Sequence, residues 1–201
     1  MVKAAARQPV PARRADAERN IAAILEAGTR LLSADPTASV ADIAKAAGVG
    51  RVTLYGHFPS REALVDAVLD HAVGMADAVL EDESIDTAPA PEAMAGLLRS
   101  SWEVLDRHRR LFLAADRVLA TERIREHHEA PLRRVERLIE RGRRDGDFRD
   151  DLPLPWLVTA FFSLIHSAAQ EREANRLAPE EVEEVLIKTM LSLLLSPAAE
   201  S

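Results

Sequence analysis

Residues 40–58 read Val-Ala-Asp-Ile-Ala-Lys-Ala-Ala-Gly-Val-Gly-Arg-Val-Thr-Leu-Tyr-Gly-His-Phe. Apolar residues at Val40, Ile43, Ala44 and Ala47 fall on one face of a short helix. Ser39 caps it, with Asp42 three residues on as a variant capping box. The small residues at 44, 46 and 47 permit another helix to come close. Gly48 suits the left-handed position that closes a helix and turns the chain sharply. A second short helix then runs from near Gly50 to about His57, and Leu54 and Phe58, at i and i+4, turn inward. Two short helices joined at a glycine turn make a helix-turn-helix.

The same phase turns Arg51, Thr53 and Gly56 outward on the second helix, with Tyr55 at the side. Arginine can bond a guanine edge through two donors, threonine offers a hydroxyl or a methyl, and glycine permits close approach. That face is suited to a DNA major groove. Lys45, Tyr55 and His57 can bond phosphates instead and fix orientation. For Tyr55 a second reading stands beside that one, a half-buried ring packed between helices.

Charge agrees with this in its distribution. The 201 residues carry −7 overall. Residues 1–61 hold nine basic side chains against five acidic ones, a net +4, which leaves −11 on the remainder. A basic N-terminal third on an acidic body fits one end facing nucleic acid; uneven surface charge without a function is the plainer alternative.

The length allows one large or two small domains with a sizeable core. Hydrophobic residues make up 47% and charged residues 29%, which argues against wholesale disorder. With no cysteine, disulfides, thiolate metal sites and a cysteine nucleophile are excluded. No apolar run reaches the roughly 18 residues of a membrane span. The basic, proline-containing start has no apolar h-region, so a cytoplasmic location is expected and a membrane partner is not.

Around the motif the periodicity stays helical. Residues 1–15 read as a flexible basic arm, able to touch phosphate or the minor groove, or simply disordered. Ile21, Ile24, Leu25, Gly28, Leu31 and Leu32 predict a helix over 16–33, ended by Asp35-Pro36. Pro59-Ser60 closes the motif and caps a further helix, traced by Leu64, Val65, Val68, Leu69, Ala72, Met75 and Val79 to about residue 80. Residues 81–91, with acids, Thr, Ala and two Pro, form a linker. Beyond it helices are predicted over 92–107, 109–119, 122–144, 155–175 and 179–195, with no two-residue alternation and no hairpin signal. The fold class is all-α.

The last two of these helices are apolar over more of their circumference than one core needs. Trp156, Leu157, Ala160, Phe161, Leu164, Ile165 and Ala168 make one stripe, and Val158, Phe162 and His166 a second face. Val182, Val185, Leu186, Met190, Leu193 and Leu194 line the final helix.

Val40-x-x-Ile43-Ala44-x-x-Ala47-Gly48-Val49, followed by Leu54-Tyr55-x-His57-Phe58-x-x-Arg61-Glu62-x-Leu64, resembles the TetR/AcrR family of bacterial repressors. The resemblance covers roughly residues 16–64. It implies a helix-turn-helix at 39–58 inside a three-helix N-terminal DNA-binding domain of residues 16–76. A C-terminal helical effector and dimerisation domain then occupies 77–201. It implies DNA contacts at Ser39, Arg51, Thr53, Tyr55, His57 and Arg61. It also implies that the last two long helices pair with their copies in a four-helix dimer bundle. Trp156, Phe161, Leu164, Ile165, Val182, Leu186 and Leu193 are then the interface, and burial within one chain is the alternative. There are departures. Gly50 replaces the usual Ser or Thr cap of the second motif helix, and Arg61 stands where Lys is commoner. The connection over 34–38 is short, and Gly56 replaces a residue that is often bulky.

Trp102, Leu105, Phe112, Leu113, Phe162 and His166 are candidates for an effector cavity with mostly apolar walls, suited to a small hydrophobic ligand. Each taken alone reads first as core, and it is the resemblance that suggests a cavity. His108, His127 and His128 do not make a metal site: adjacent histidines project about 100° apart on a helix, and Glu126-His-His-Glu129 is not the His-Glu-x-x-His order. No cofactor is required, and no catalytic signature or phosphate loop supports an enzyme. The expectation is a homodimeric regulator on a near-palindromic double-stranded DNA operator, a repressor relieved by a small molecule. Its rivals are a ligand-independent regulator and an interaction protein that has lost sequence-specific DNA binding.

Overall fold

The computed structural model describes residues 10–79 and 87–195. The elements are α1 (Val10–Ala34), α2 (Val40–Ala46), α3 (Arg51–His57), α4 (Arg61–Val79), α5 (Ala90–Asp116), α6 (Thr121–His127), α7 (Glu129–Asp145), α8 (Leu154–Glu173) and α9 (Val182–Leu194). The chain is all-α; among the described residues β-structure is an isolated bridge between Phe148 and Leu195. Two compact units divide it. The first holds the chain through Ala72 together with Arg110–Ala120, and the second holds Val73–Arg109 and the chain from Thr121 onward.

In the first unit α1 begins at Val10 rather than near residue 16, so residues 10–15 of the expected arm are helical. Alanine and arginine are strong helix formers, and a proline in the first turn removes a donor that would have had no partner there. The rest of the arm, residues 1–9, lies outside the described residues. Ile24 and Leu32 of α1 are fully buried. Gly28 lets α4 pass close, since a Cβ there would lie 2.5 Å from Val68 Cγ2. Past Ala34, the Asp35 carboxylate accepts from the Thr37 N–H at 2.8 Å and from its hydroxyl at 2.7 Å, a turn closed by its own side chain. Arg110 donates to the Ala34 carbonyl at 2.5 Å, filling an acceptor that the helix end leaves open.

Helices α2 and α3 have seven residues each, too few to persist alone. Ile43 and Leu54, both at 0% exposure, tie them to the unit. Leu64, Val65, Val68 and Leu69 of α4 complete the core, together with Leu111, Ala114, Ala115 and Leu119 from the distant segment. Each leucine-sized side chain so buried stabilises by about 1.5–3 kcal/mol.

Beyond α4 the chain departs from the predicted boundaries in two places. Residues 92–107 and 109–119 are not two helices: α5 runs unbroken from Ala90 to Asp116. The run Arg107-His108-Arg109-Arg110 looks like a connection, but it contains no glycine or proline, and long charged side chains keep a helix going. Conversely, the helix predicted over 122–144 divides at His128 into α6 and α7. Pro131 is the cause. It has no N–H for the carbonyl of His127, so a continuous helix is broken there, while a first-turn position in a new helix costs it nothing. Helix α7 ends where the Asp147 and Phe148 amides both donate to the Gly142 carbonyl, at 2.9 and 3.0 Å. Helix α8 buries Leu157, Val158, Phe161, Phe162, Ile165 and Ala168 on two faces. Helix α9 buries Val182, Leu186, Met190 and Leu194, a single i, i+4 stripe. Of the predicted linker, residues 81–86 lie outside the described residues, and Ala90 and Pro91 already belong to α5.

Candidate nucleic-acid interface

The motif is built as a small rigid corner. Ser39 stands in extended backbone before α2 and accepts from the Asp42 amide at 3.2 Å, while the Asp42 carboxylate accepts from the Ser39 amide at 3.2 Å and hydroxyl at 2.5 Å. The capping box is complete. These bonds, the Ser39 hydroxyl first, hold the Asp42 carboxyl below the usual carboxylate range. At the other end of α2 the Val49 amide reaches the Ala44 carbonyl at 3.0 Å, which needs Gly48 at φ +70°. A side chain there is strained, so glycine fixes the corner.

Helix α3 leaves this corner with Gly50 as its N-cap and no side-chain bond at the cap. Leu54 and Phe58 point into the unit and are buried. Arg51, Val52, Thr53, Tyr55 and Gly56 are exposed. Tyr55 keeps 48% of its surface, so its ring is not enclosed between helices. A Cβ built on Gly56 would meet nothing within 4 Å, which leaves the flank of α3 open. Lys45 is exposed in the last turn of α2. His57 is half-buried, its ring tilted against Phe58 at 6.4 Å.

Arg61 takes a different position from the rest. Its guanidinium donates to the Ala38 carbonyl at 2.6 Å and the Pro36 carbonyl at 3.1 Å, so it braces the loop that delivers Ser39. Arginine has five N–H donors, and two carbonyls do not exhaust them.

The sequence overlooks Val52. At 88% exposure it is the most open large apolar side chain described, placed between Arg51 and Thr53 on α3. Its signal was present in the phase: one residue after Arg51, it falls off the Leu54–Phe58 stripe that holds α3 in place. An apolar side chain held in water beside an arginine and a threonine is the kind of group that meets a thymine methyl.

The remaining candidate residues lie elsewhere. Trp102, Leu105 and Phe162 are buried in the second unit and His166 is half-buried there, whereas Phe112 and Leu113 fall within the first. Around Phe162 a polar cluster forms. His128 and His166 lie at 5.3 and 4.1 Å from its ring, 5.3 Å from each other, and the Arg125 guanidinium sits 5.5 Å over the same ring. Each histidine Nδ1–H donates to the carbonyl four residues before it, Ile124 at 2.7 Å and Phe162 at 2.8 Å. Burial drives the His128 imidazole down to about 4, which the bond to Ile124 only partly offsets.

Of the interface candidates, Phe161, Ile165, Val182 and Leu186 are buried inside this single chain. They pack the second unit and offer little outside it. Leu164 and Leu193 are half-buried, and Trp156 is 59% exposed. Val185 and Leu195, at 42% each, add apolar surface on α9 and just past its end.

Known proteins bear on this geometry. The sequence pattern of the bacterial regulatory proteins of the tetR family matches residues 24–68. The HTH-type transcriptional repressor LfrR of Mycolicibacterium smegmatis is 34% identical over 87 residues, 43% of this chain and 46% of that protein. The chain thus matches less than half the length of this relative. The HTH-type transcriptional repressor KstR2 of the same organism is 30% identical over 154 residues, 71% of each chain. The crystal structure of LfrR in complex with proflavine superposes with a TM-score of 0.65 at 22% identity, covering 90% of this chain and 98% of that one. The structure of FadR from Bacillus subtilis in complex with stearoyl-CoA gives 0.70 at 19% identity, covering 85% and 97%. A pattern match centred on the corner and a relative aligned over most of both chains lead to one conclusion: this chain belongs to the tetR family of bacterial regulatory proteins.

Proposed function

We propose that the chain is a DNA-binding transcriptional regulator, a repressor that acts as a homodimer and is released by a small hydrophobic effector. One observation carries the reading. Helix α3 buries Leu54 and leaves Arg51, Val52, Thr53 and Tyr55 outside, a surface chemically matched to base edges. Arg51 supplies the bidentate contact to guanine, Val52 an apolar contact to a thymine methyl, and Thr53 a hydroxyl. Lys45, Tyr55 and His57 supply phosphate contacts, and Ser39 and Arg61 hold the backbone that presents them. Two relatives carry the word repressor in their names.

Dimerisation rests on the exposed apolar side chains of the terminal helices: Trp156, Val185 and Leu195, with Leu164 and Leu193 beside them. A twofold pair presents two α3 helices to half-sites about 34–36 Å apart, or slightly more, on a near-palindromic operator. Two proteins of similar fold hold small molecules, proflavine in one and stearoyl-CoA in the other. An effector in the second unit releases DNA by preferring a state in which α4, which runs from one unit into the other, no longer holds the half-site spacing. Such a regulator works in the cytoplasm.

The test is selection of a binding sequence from a random duplex pool by the full-length chain, followed by titration. Preference for one near-palindrome, lost in Arg51→Ala with the fold intact, supports the reading. Equal affinity for all sequences at matched salt overturns it.

A further inference from the structure

Beside the motif lies a groove of about 770 Å³ that the helix-turn-helix alone does not form. Thr37, Ser39, Arg51, Tyr55 and Arg61 line it from the motif side. Arg117 lines it from the distant segment that belongs to the same unit. Its lining holds three arginines, three hydroxyls and no carboxylate. The Thr37 and Ser39 hydroxyls donate to Asp35 and Asp42, which leaves the guanidinium groups and the Tyr55 hydroxyl as donors around one concavity, the chemistry of a phosphate oxyanion.

Arg117 is held out by a firm backbone. It follows α5 in a turn where the Val118 and Leu119 amides both donate to the Ala115 carbonyl, at 3.0 and 2.8 Å. Ala115 and Leu119 are buried, so the turn cannot swing freely. Asp35 and Asp42 are acids close to these arginines. Asp35 accepts two bonds from Thr37 and also feels Arg110 and Arg117, and Asp42 is engaged by Ser39. Arg51, Arg61, Arg110 and Arg117 outnumber them.

We propose that this groove seats a phosphate of the DNA backbone outside the bases read by α3, and that Arg117 is a positioning contact for it. Residue 117 then carries affinity without sequence preference, the complement of Arg51. This rests on the DNA-binding reading above.

The full-length chain is titrated with a random-sequence duplex and with the sequence it selects, across a series of salt concentrations. Arg117→Gln is expected to weaken binding to both duplexes by the same factor, roughly five- to tenfold near ~0.1 M salt, and to make the slope of log affinity on log salt shallower by about one. Arg117→Lys keeps the slope. If Arg117→Gln leaves slope and affinity unchanged while Arg51→Ala loses its preference, the groove proposal fails and the DNA-binding reading stands. A wild type with no salt-dependent binding to either duplex overturns both. Inorganic phosphate added to the DNA-free chain and followed by amide chemical shifts forms the second arm. Saturation that depends on Arg117, with no change in the DNA slope, assigns the groove to a free phosphorylated molecule and overturns the proposal. A lowered unfolding midpoint in Arg117→Gln with the wild-type slope makes Arg117 a strut for Asp35, which also overturns it.

Discussion

Helices α3 and α8 use the same backbone to opposite ends. Seven-residue α3 buries one side chain, Leu54, and exposes the groups that bear chemistry. Twenty-residue α8 buries six side chains and keeps two of its chemical groups, Phe162 and His166, against His128 within the unit. A helix built for display is anchored at one point, so its outward residues can change without loss of fold. A helix built for support has its chemistry tied to stability, so its polar groups report on folding first.

That contrast can be broken most severely at the anchor. Leu54→Ala leaves a cavity where a fully buried side chain stood, and such truncations cost about 2–5 kcal/mol. Thermal unfolding is expected to show the first unit melting early; a midpoint equal to the wild type would mean that α3 is held by something else.

Helix α8 and its neighbours are tested by pH. The unfolded chain binds a proton on His128 near its ordinary pKa of ~6.5, whereas the folded chain refuses it down to about 4. The stability this represents is whole above the unfolded value and is lost as pH falls from there toward about 4, because the unfolded state binds more protons across that window. The loss is on the order of 3 kcal/mol. Half-buried His108 acts in the same direction. Asp42 and Asp151, held below the usual carboxylate range by Ser39 and Arg149, contribute their loss at lower pH. Denaturant titrations at several pH values should show a steep fall that His128→Phe flattens; equal slopes in both proteins would place the protonation elsewhere.

Display predicts effects on binding without effects on folding. Arg51→Ala is expected to cost about 1–3 kcal/mol of discrimination between the selected duplex and its guanine-substituted variant, with the unfolding midpoint unchanged. Val52→Ala should lose less, about 1 kcal/mol or under, and only against sequences that present a thymine methyl. A uniform loss on all sequences would show that Val52 packs rather than reads. The smallest expected change is a gain. Gly50→Ser supplies the missing cap of α3, where a Cβ has room, its nearest neighbour being Thr53 Oγ1 at 3.9 Å. It should stabilise by a few tenths of a kcal/mol, measured as a small rise in midpoint.

The corner at Gly48 was legible in the sequence because every determinant of it is local: the cap at Ser39, the stripe at Ile43 and Ala44, the glycine itself. Val52 was missed although the phase exposed it, because an apolar residue invites a core assignment. The second unit was harder for physical reasons. The division at His128 depends on a proline three residues later, and the continuity of α5 depends on charged residues that also suit loops. Phe161, Ile165, Val182 and Leu186 were expected at an interface because the family resemblance implied one, and periodicity measures how apolar a face is and not which neighbour covers it. Arg117 carries no local signal at all, since only tertiary structure brings it to the motif.

The donation from Arg110 to the Ala34 carbonyl, and the burial of Leu111 and Leu119, also set an order of events during synthesis. The unit that carries the corner is not closed when its own stretch of chain has emerged, because part of its core is encoded after Val73–Arg109. At ~5–20 residues per second the ribosome takes several seconds more to deliver that part. Until then the nascent helices α1 to α4 lack a wall of their core, and a fragment cut after Ala72 stays in that unfinished state. The first unit therefore completes its core only once residues 73–109 of the second unit have also been made.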